Sequence, residues 1–159
     1  MVVYHGSNLE VRFPILIPSK RLLDFGAGFY VTSDLEQAKK WALRTTNNRG
    51  NGVPTVSVYS FDTPPLEQLK LLKFDQADQE WLRYIAANRT GKADTDEYDV
   101  VFGPVANDQA IRTVNNYLKG YFPEDIAIQL LLPQKLKDQY AFRTEAALSI
   151  LHFMEAKIV

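Results

Sequence analysis

Apolar and polar positions alternate through Thr55-Val56-Ser57-Val58-Tyr59-Ser60-Phe61 with the period of a half-buried strand. Val2 to His5 is a shorter, β-rich opening strand, and Phe29 to Thr32 is another. Between them Phe13-Pro14-Ile15-Leu16-Ile17-Pro18 reads as an apolar loop, because its prolines remove backbone donors. After Thr32 the period changes. Ser33 followed by Glu36 has the spacing of a capping box, in which hydroxyl and carboxylate satisfy the free amides of a helix start. A helix is therefore predicted from Asp34 to about Arg44, with Leu35, Ala38, Trp41 and Ala42 on its inward face. Asn47-Asn48-Arg49-Gly50-Asn51-Gly52 is too polar and glycine-rich to pack and reads as a loop. Further helices are predicted over about Gln76 to Asn88, 108 to 119 and about Pro123 to Leu132, the second of them capped by Asn107 or Asp108. Polar residues 89 to 97 read as an exposed loop, Tyr98 to Phe102 as a buried strand, and Gln139 to Arg143 and Leu148 to Glu155 as closing strands. Strands at both ends with helices scattered between them fit an α+β domain, with a split central β-sheet and surrounding helices, better than a parallel βαβ fold.

Composition narrows the chemistry. At 159 residues with 46% apolar content, the chain (1–159) reads as a single domain able to bury roughly 70% of its unfolded surface. The net charge of −1 and the dispersed basic residues lack the footprint of a protein that grips a phosphate backbone, which disfavours nucleic acid as the default ligand. The absence of cysteine rules out disulfides and thiolate zinc sites, and with only His5 and His152 no metal is expected. No apolar run approaches the ~18 residues of a membrane-spanning helix. The start Met1-Val2-Val3-Tyr4 has neither a charged leader nor a cleavage site, so a cytoplasmic protein is expected.

Two short segments carry the candidate chemistry. Tyr4-His5-Gly6-Ser7 ends the first strand, and Asp24-Phe25-Gly26-Ala27-Gly28-Phe29-Tyr30-Val31-Thr32 leads into the predicted helix. Glycine lets a flat ring approach the backbone, and a neutral imidazole can donate to or accept from a sugar hydroxyl. Taken alone, His5 reads more simply as a turn histidine, and Phe29, Tyr30 and Trp41 as core aromatics. Taken together, His5 and the Phe-Gly-x-Gly-aromatic-Tyr segment resemble the diphtheria-toxin and poly(ADP-ribose) polymerase branch of the ADP-ribosyltransferases. Their signature is His, then Tyr, then a late acidic or amide residue.

The resemblance implies a split-sheet transferase fold and NAD as co-substrate. His5 would contact the adenosine ribose, Gly6 the nicotinamide carboxamide, and Ser7 would add a hydroxyl, with Gly28 beside the pocket. Tyr30 takes the signature tyrosine position, and Trp41, eleven residues on, takes that of a second ring against the nicotinamide. A cationic pyridinium is held well between π faces, a contact that weakens as neutral nicotinamide departs, so such a clamp positions the ground state. The third element falls in Asp138-Gln139-Tyr140-Ala141-Phe142, where Gln139 stands in place of the family's glutamate. An amide keeps the acceptor for a ribose hydroxyl and forfeits the charge. A charge-assisted bond is worth about 1 to 2 kcal/mol more than a neutral one, which translates to a rate loss of roughly ten- to thirtyfold. It also removes the general base that chain elongation needs, favouring single transfer. Asp138, expected on the opposite face of the strand, and Glu145, at a helix start or turn, rank below Gln139. Ala38 is a further departure, since the polymerases carry a serine there.

The implied activity is mono-ADP-ribosyl transfer, with His5, Tyr30 and Gln139 as the catalytic set and NAD glycohydrolysis as a side reaction. A protein acceptor is expected ahead of nucleic acid. The layout resembles small bacterial members of the superfamily that act as toxins in toxin–antitoxin or phage-defence modules, which implies a cognate antitoxin protein. The alternative is an inactive module that binds NAD, ADP-ribose or a protein. The turn before Asn107 and Asp108 offers free amides to a phosphate, although ordinary capping explains it better. Arg83, Arg89 and Arg112 are assigned no role.

Overall fold

The computed structural model describes residues 1–18, 22–93 and 97–159. Seven strands form two sheets. In the first, β1 (Val2–Ser7) pairs antiparallel with β3 (Thr55–Ser60), which pairs antiparallel with β7 (His152–Ile158), giving the order β1-β3-β7. In the second, β2 (Phe29–Val31) and β5 (Val100–Pro104) flank β6 (Asp138–Phe142) in antiparallel register, and β4 (Leu71–Lys73) adds parallel to β5. The sheets meet at one bridge, where Tyr4 and Thr32 exchange backbone hydrogen bonds of 2.8 and 3.0 Å. The class is therefore α+β with the sheet in two parts.

Strand alternation sorts the side chains into two cores. Phe29, Val31, Tyr140, Phe142 and Val100 point into one, with Val3, Tyr59 and Phe61 from the first sheet side. Ala141 and Val101 point to the other face, beneath α3 (Gln79–Arg89), α4 (Asp108–Leu118) and α5 (Glu124–Leu131), where Phe25, Trp81, Leu82, Ile85, Val114 and Leu131 are buried. A smaller core forms where α1 (Leu35–Arg49) lies on β1 and β3 through Ala38, Ala42, Val56 and Val58.

Several boundaries differ from the sequence expectation. Helix α1 starts from Asp34, whose carboxylate accepts from the Gln37 amide at 2.7 Å, because Ser33 is drawn off to Asp138. It runs on to Arg49, taking in Asn47 and Asn48, and stops where Gly50 adopts a left-handed conformation and donates to Thr46. Its inward face is narrower than expected: Ala38 and Ala42 are buried, while Leu35 and Trp41 are half-buried. Asn107 caps α4, accepting from Gln109 and Ala110 at 3.1 and 2.9 Å, so capping consumes the amides that a phosphate would use. The short α2 (Thr63–Glu67) and β4 carry no periodic signal. Part of the closing strand predicted from Leu148 is instead α6 (Glu145–Leu148), capped by Thr144, and β7 begins at His152. The strand predicted from Tyr98 begins at Val100, and residues 94 to 96 of the predicted 89–97 loop lie outside the described residues.

Candidate functional site

Tyr30 pairs with Ala141, and Gln139 lies two residues from Ala141 on the same strand, so the Tyr30 and Gln139 side chains share one face of the second sheet. That face opens into a cavity of about 630 Å³, within the range of small-molecule sites. The cavity is lined also by α1, through Trp41 among others, and by Asp24, Arg89 and Asn115. Arg44 of α1 and Asp108 of α4 form an exposed ion pair at 3.1 Å, and both belong to the lining.

Gln139 is 4% exposed, and its Nε2 has no hydrogen-bond partner among the described residues. Few buried polar groups in folded proteins are left so, since the unmade bond costs about 1 to 3 kcal/mol. The hydroxyl of Tyr30 is fully committed: it donates to the Gly26 carbonyl at 2.6 Å and accepts from the Phe25 amide at 3.0 Å. Burial pushes its pKa far above the usual phenol range, so the hydroxyl stays protonated and holds the turn. That turn presents Asp24, which Arg89 engages through Nε at 2.5 Å, while Nη1 of Arg89 donates to Asn115 at 3.1 Å.

His5, Gly6, Ser7 and Gly28 are not among the lining residues. The His5 ring stacks on Phe29 at 4.2 Å, and its Nδ1 lies 2.7 Å from the Tyr30 carbonyl oxygen. A carbonyl only accepts, so Nδ1 carries the proton. Desolvation lowers the His5 pKa to about 4, against the smaller opposing effect of that bond, and Arg49 lowers it further. The imidazole is neutral at physiological pH. Gly6 is covered by α1: a Cβ there would stand 2.0 Å from the Ala38 carbonyl oxygen and 2.7 Å from the Ala42 nitrogen. The glycine thus serves helix-to-strand contact, where the sequence suggested access for a ligand ring. Ser7 is buried beside Asn8, which accepts from Arg49 at 2.7 Å and donates to Asn51 at 2.9 Å.

The two lower-ranked acids have structural work. Asp138 accepts from the Ser33 amide at 2.8 Å, from Thr32 Oγ1 at 3.2 Å and from Ser33 Oγ, pinning the start of α1 to β6. Glu145 stands in the first turn of α6. Among the described residues no cluster of histidine and carboxylate side chains has the makings of a metal site. No described helix is long and apolar enough to cross a membrane.

Sequence reasoning left Asp24, Arg89 and Asn115 without a role. Asp24 opens the glycine-rich segment, but its partner Arg89 follows 65 residues later on α3, and Arg89 in turn bonds Asn115, 26 residues further on α4, with no periodic signal to mark them.

A two-sheet α+β domain with a polar cavity bounded by the second sheet, α1 and α4 is the class that fold and site define. The family model described as "Protein of unknown function (DUF3990)" matches residues 1–153, and the chain belongs to that family. A search of curated proteins finds no match.

Proposed function

We propose that this chain is an NAD-dependent mono-ADP-ribosyltransferase on a split-sheet ADP-ribosyltransferase-like fold. It transfers one ADP-ribose to a macromolecular acceptor, protein ahead of nucleic acid, in the bacterial cytoplasm. The observation that carries the reading is the buried Gln139 amide, unpartnered, in one cavity with Tyr30 and Trp41. Gln139 comes from a segment distant from the other two; Tyr30 and Gln139 take positions of the family signature, and Trp41 takes that of the second ring against the nicotinamide. In this reading the rings of Tyr30 and Trp41 flank the nicotinamide, and Gln139 holds a hydroxyl of the adjoining ribose. As the glycosidic bond breaks, its electron pair leaves with nicotinamide and the acceptor takes its place at the anomeric carbon. His5 contributes from outside the cavity, by holding the backbone of Tyr30.

A toxin with a cognate antitoxin protein is the setting we propose by analogy with small bacterial transferases. The neutral Gln139 also favours a second reading, a module that binds NAD or ADP-ribose without turning it over. One experiment separates them. The protein is incubated with NAD and bacterial lysate, nicotinamide release is followed, and protein and nucleic acid are searched separately for the mass of one ADP-ribose. Release and labelling that fall in Gln139→Ala and persist or rise in Gln139→Glu support the enzyme. NAD binding with turnover no higher than in Gln139→Ala supports the binding module, and no binding of either NAD or ADP-ribose removes both.

A further inference from the structure

We propose that Asp24 supplies the negative charge that Gln139 cannot, as the carboxylate that faces the reacting sugar; this rests on the NAD transferase reading above. Two carboxylates line the cavity, Asp24 and Asp108. Asp108 belongs to the exposed rim, its side chain 86% accessible and paired with Arg44. The Asp24 side chain is 16% accessible, so less water screens its field. Arg89 occupies Oδ1, and Oδ2 accepts no hydrogen bond from any described residue. The guanidinium is itself held at its other end by Asn115, so the carboxylate is fixed in place with one oxygen available.

The backbone supports the same assignment. Tyr30 lies beside Gln139 across β2 and β6, and its hydroxyl is bonded on both sides to the turn that follows Asp24. The carboxylate and the amide are therefore carried by two segments locked together through one tyrosine. Positive charge develops on the ribose as the bond to nicotinamide breaks, and a preorganised anion in a site of low dielectric lowers that barrier. When the acceptor attacks the anomeric carbon, the bond from its oxygen or nitrogen to carbon forms and its proton passes to Asp24 Oδ2, which later releases it to solvent. Nicotinamide leaves neutral with the glycosidic electron pair, so no further reactant is needed.

The test uses the full chain, NAD as probe, and four variants: Asp24→Asn, Arg89→Gln, Gln139→Glu and the double Asp24→Asn/Gln139→Glu. NAD affinity is measured by calorimetry and nicotinamide release is followed at neutral pH. We expect Asp24→Asn to bind NAD within about threefold of wild type while release falls about 10²-fold. The double variant should recover tenfold or more of that loss. Arg89→Gln frees the carboxylate from the contact that fixes it and should lower release about tenfold at an NAD affinity within about threefold of wild type. If Asp24→Asn does not fold, Arg89→Gln decides: that fall supports the role, and wild-type release overturns it. Wild-type release in folded Asp24→Asn overturns the role of Asp24 and leaves the transferase reading standing. A wild type that binds NAD without releasing nicotinamide overturns both.

Discussion

The imidazole of His5 meets the backbone of Tyr30 and not its ring, with Nδ1 2.7 Å from the carbonyl oxygen. The bond joins edge strands of two separate sheets and by itself favours the charged ring, but desolvation outweighs it and depresses the pKa to about 4, so the histidine is neutral. An unfolded histidine titrates near 6.5, so between those values the unfolded chain binds the extra proton and stability falls as pH falls. About 2 kcal/mol should be lost from neutral pH to pH 5. Asp34 and Asp99, whose pKa values are lowered by Lys137 and Thr144 respectively, contribute stability lost only at more acid pH. Urea midpoints of wild type should therefore fall from pH 7 to 5, and His5→Asn should flatten that fall. A wild-type midpoint constant across this window would contradict the half-buried, neutral imidazole.

Gly6 should be intolerant of a single methyl group. Its Cβ would meet backbone atoms of α1 at 2.0 and 2.7 Å, which side-chain rotation cannot relieve. Gly6→Ala is expected to cost about 3 kcal/mol or more by forcing α1 off β1. Gly50→Ala, at φ +69 with nothing within 4 Å, should cost only the backbone strain of about 1 to 2 kcal/mol. Equilibrium unfolding of the pair ranks them, and equal losses would mean that Gly6 is not the closest approach of helix and strand.

Gln139 sets function against stability. Its unpartnered Nε2 costs the unliganded protein, and leucine of similar volume removes the cost. Gln139→Leu should raise the thermal midpoint, by the equivalent of about 1 kcal/mol, and abolish NAD binding. A lower midpoint in the variant would show that the amide is already satisfied in the free protein.

What the sequence made legible follows from the range of the forces involved. Strand β3 and helices α4 and α5 announce themselves through local period and caps, and the structure keeps them within a residue or two. The choice between Ser33 and Asp34 as cap is not local: Asp138, 105 residues away, takes the Ser33 hydroxyl and leaves the cap to Asp34. Strand β4 is three residues long and exists because β5 offers it parallel partners, which no window of sequence around Leu71 records. At the site, Tyr30, Trp41 and Gln139 were found through a motif, and they share a cavity. A glycine after a strand has two uses, approach by a ligand or approach by a helix, and at Gly6 the helix contact is visible only once α1 is in place. Asp24 and Arg89 pair across 65 residues, beyond anything that spacing encodes.

The two tryptophans provide a direct report on the cavity. Trp81 is fully buried, and its Nε1 donates to the Pro104 carbonyl at 3.0 Å; Trp41 is half-buried and lines the cavity. Acrylamide should therefore quench Trp41 and leave Trp81 emitting. Nicotinamide seated between Tyr30 and Trp41 should quench Trp41 by contact and shield it from acrylamide, and both effects should saturate together. Replacing Trp81 to isolate the signal is the poorer design, because Trp81→Phe leaves the Pro104 carbonyl unpartnered and opens a void in a packed core. Trp41→Phe keeps an aromatic face and loses the reporter, so in that variant NAD should still bind by calorimetry with no change in emission. Quenching that survives Trp41→Phe, or wild-type emission unchanged by NAD at concentrations that saturate calorimetry, would place the nicotinamide away from Trp41 and remove the ring clamp from the site.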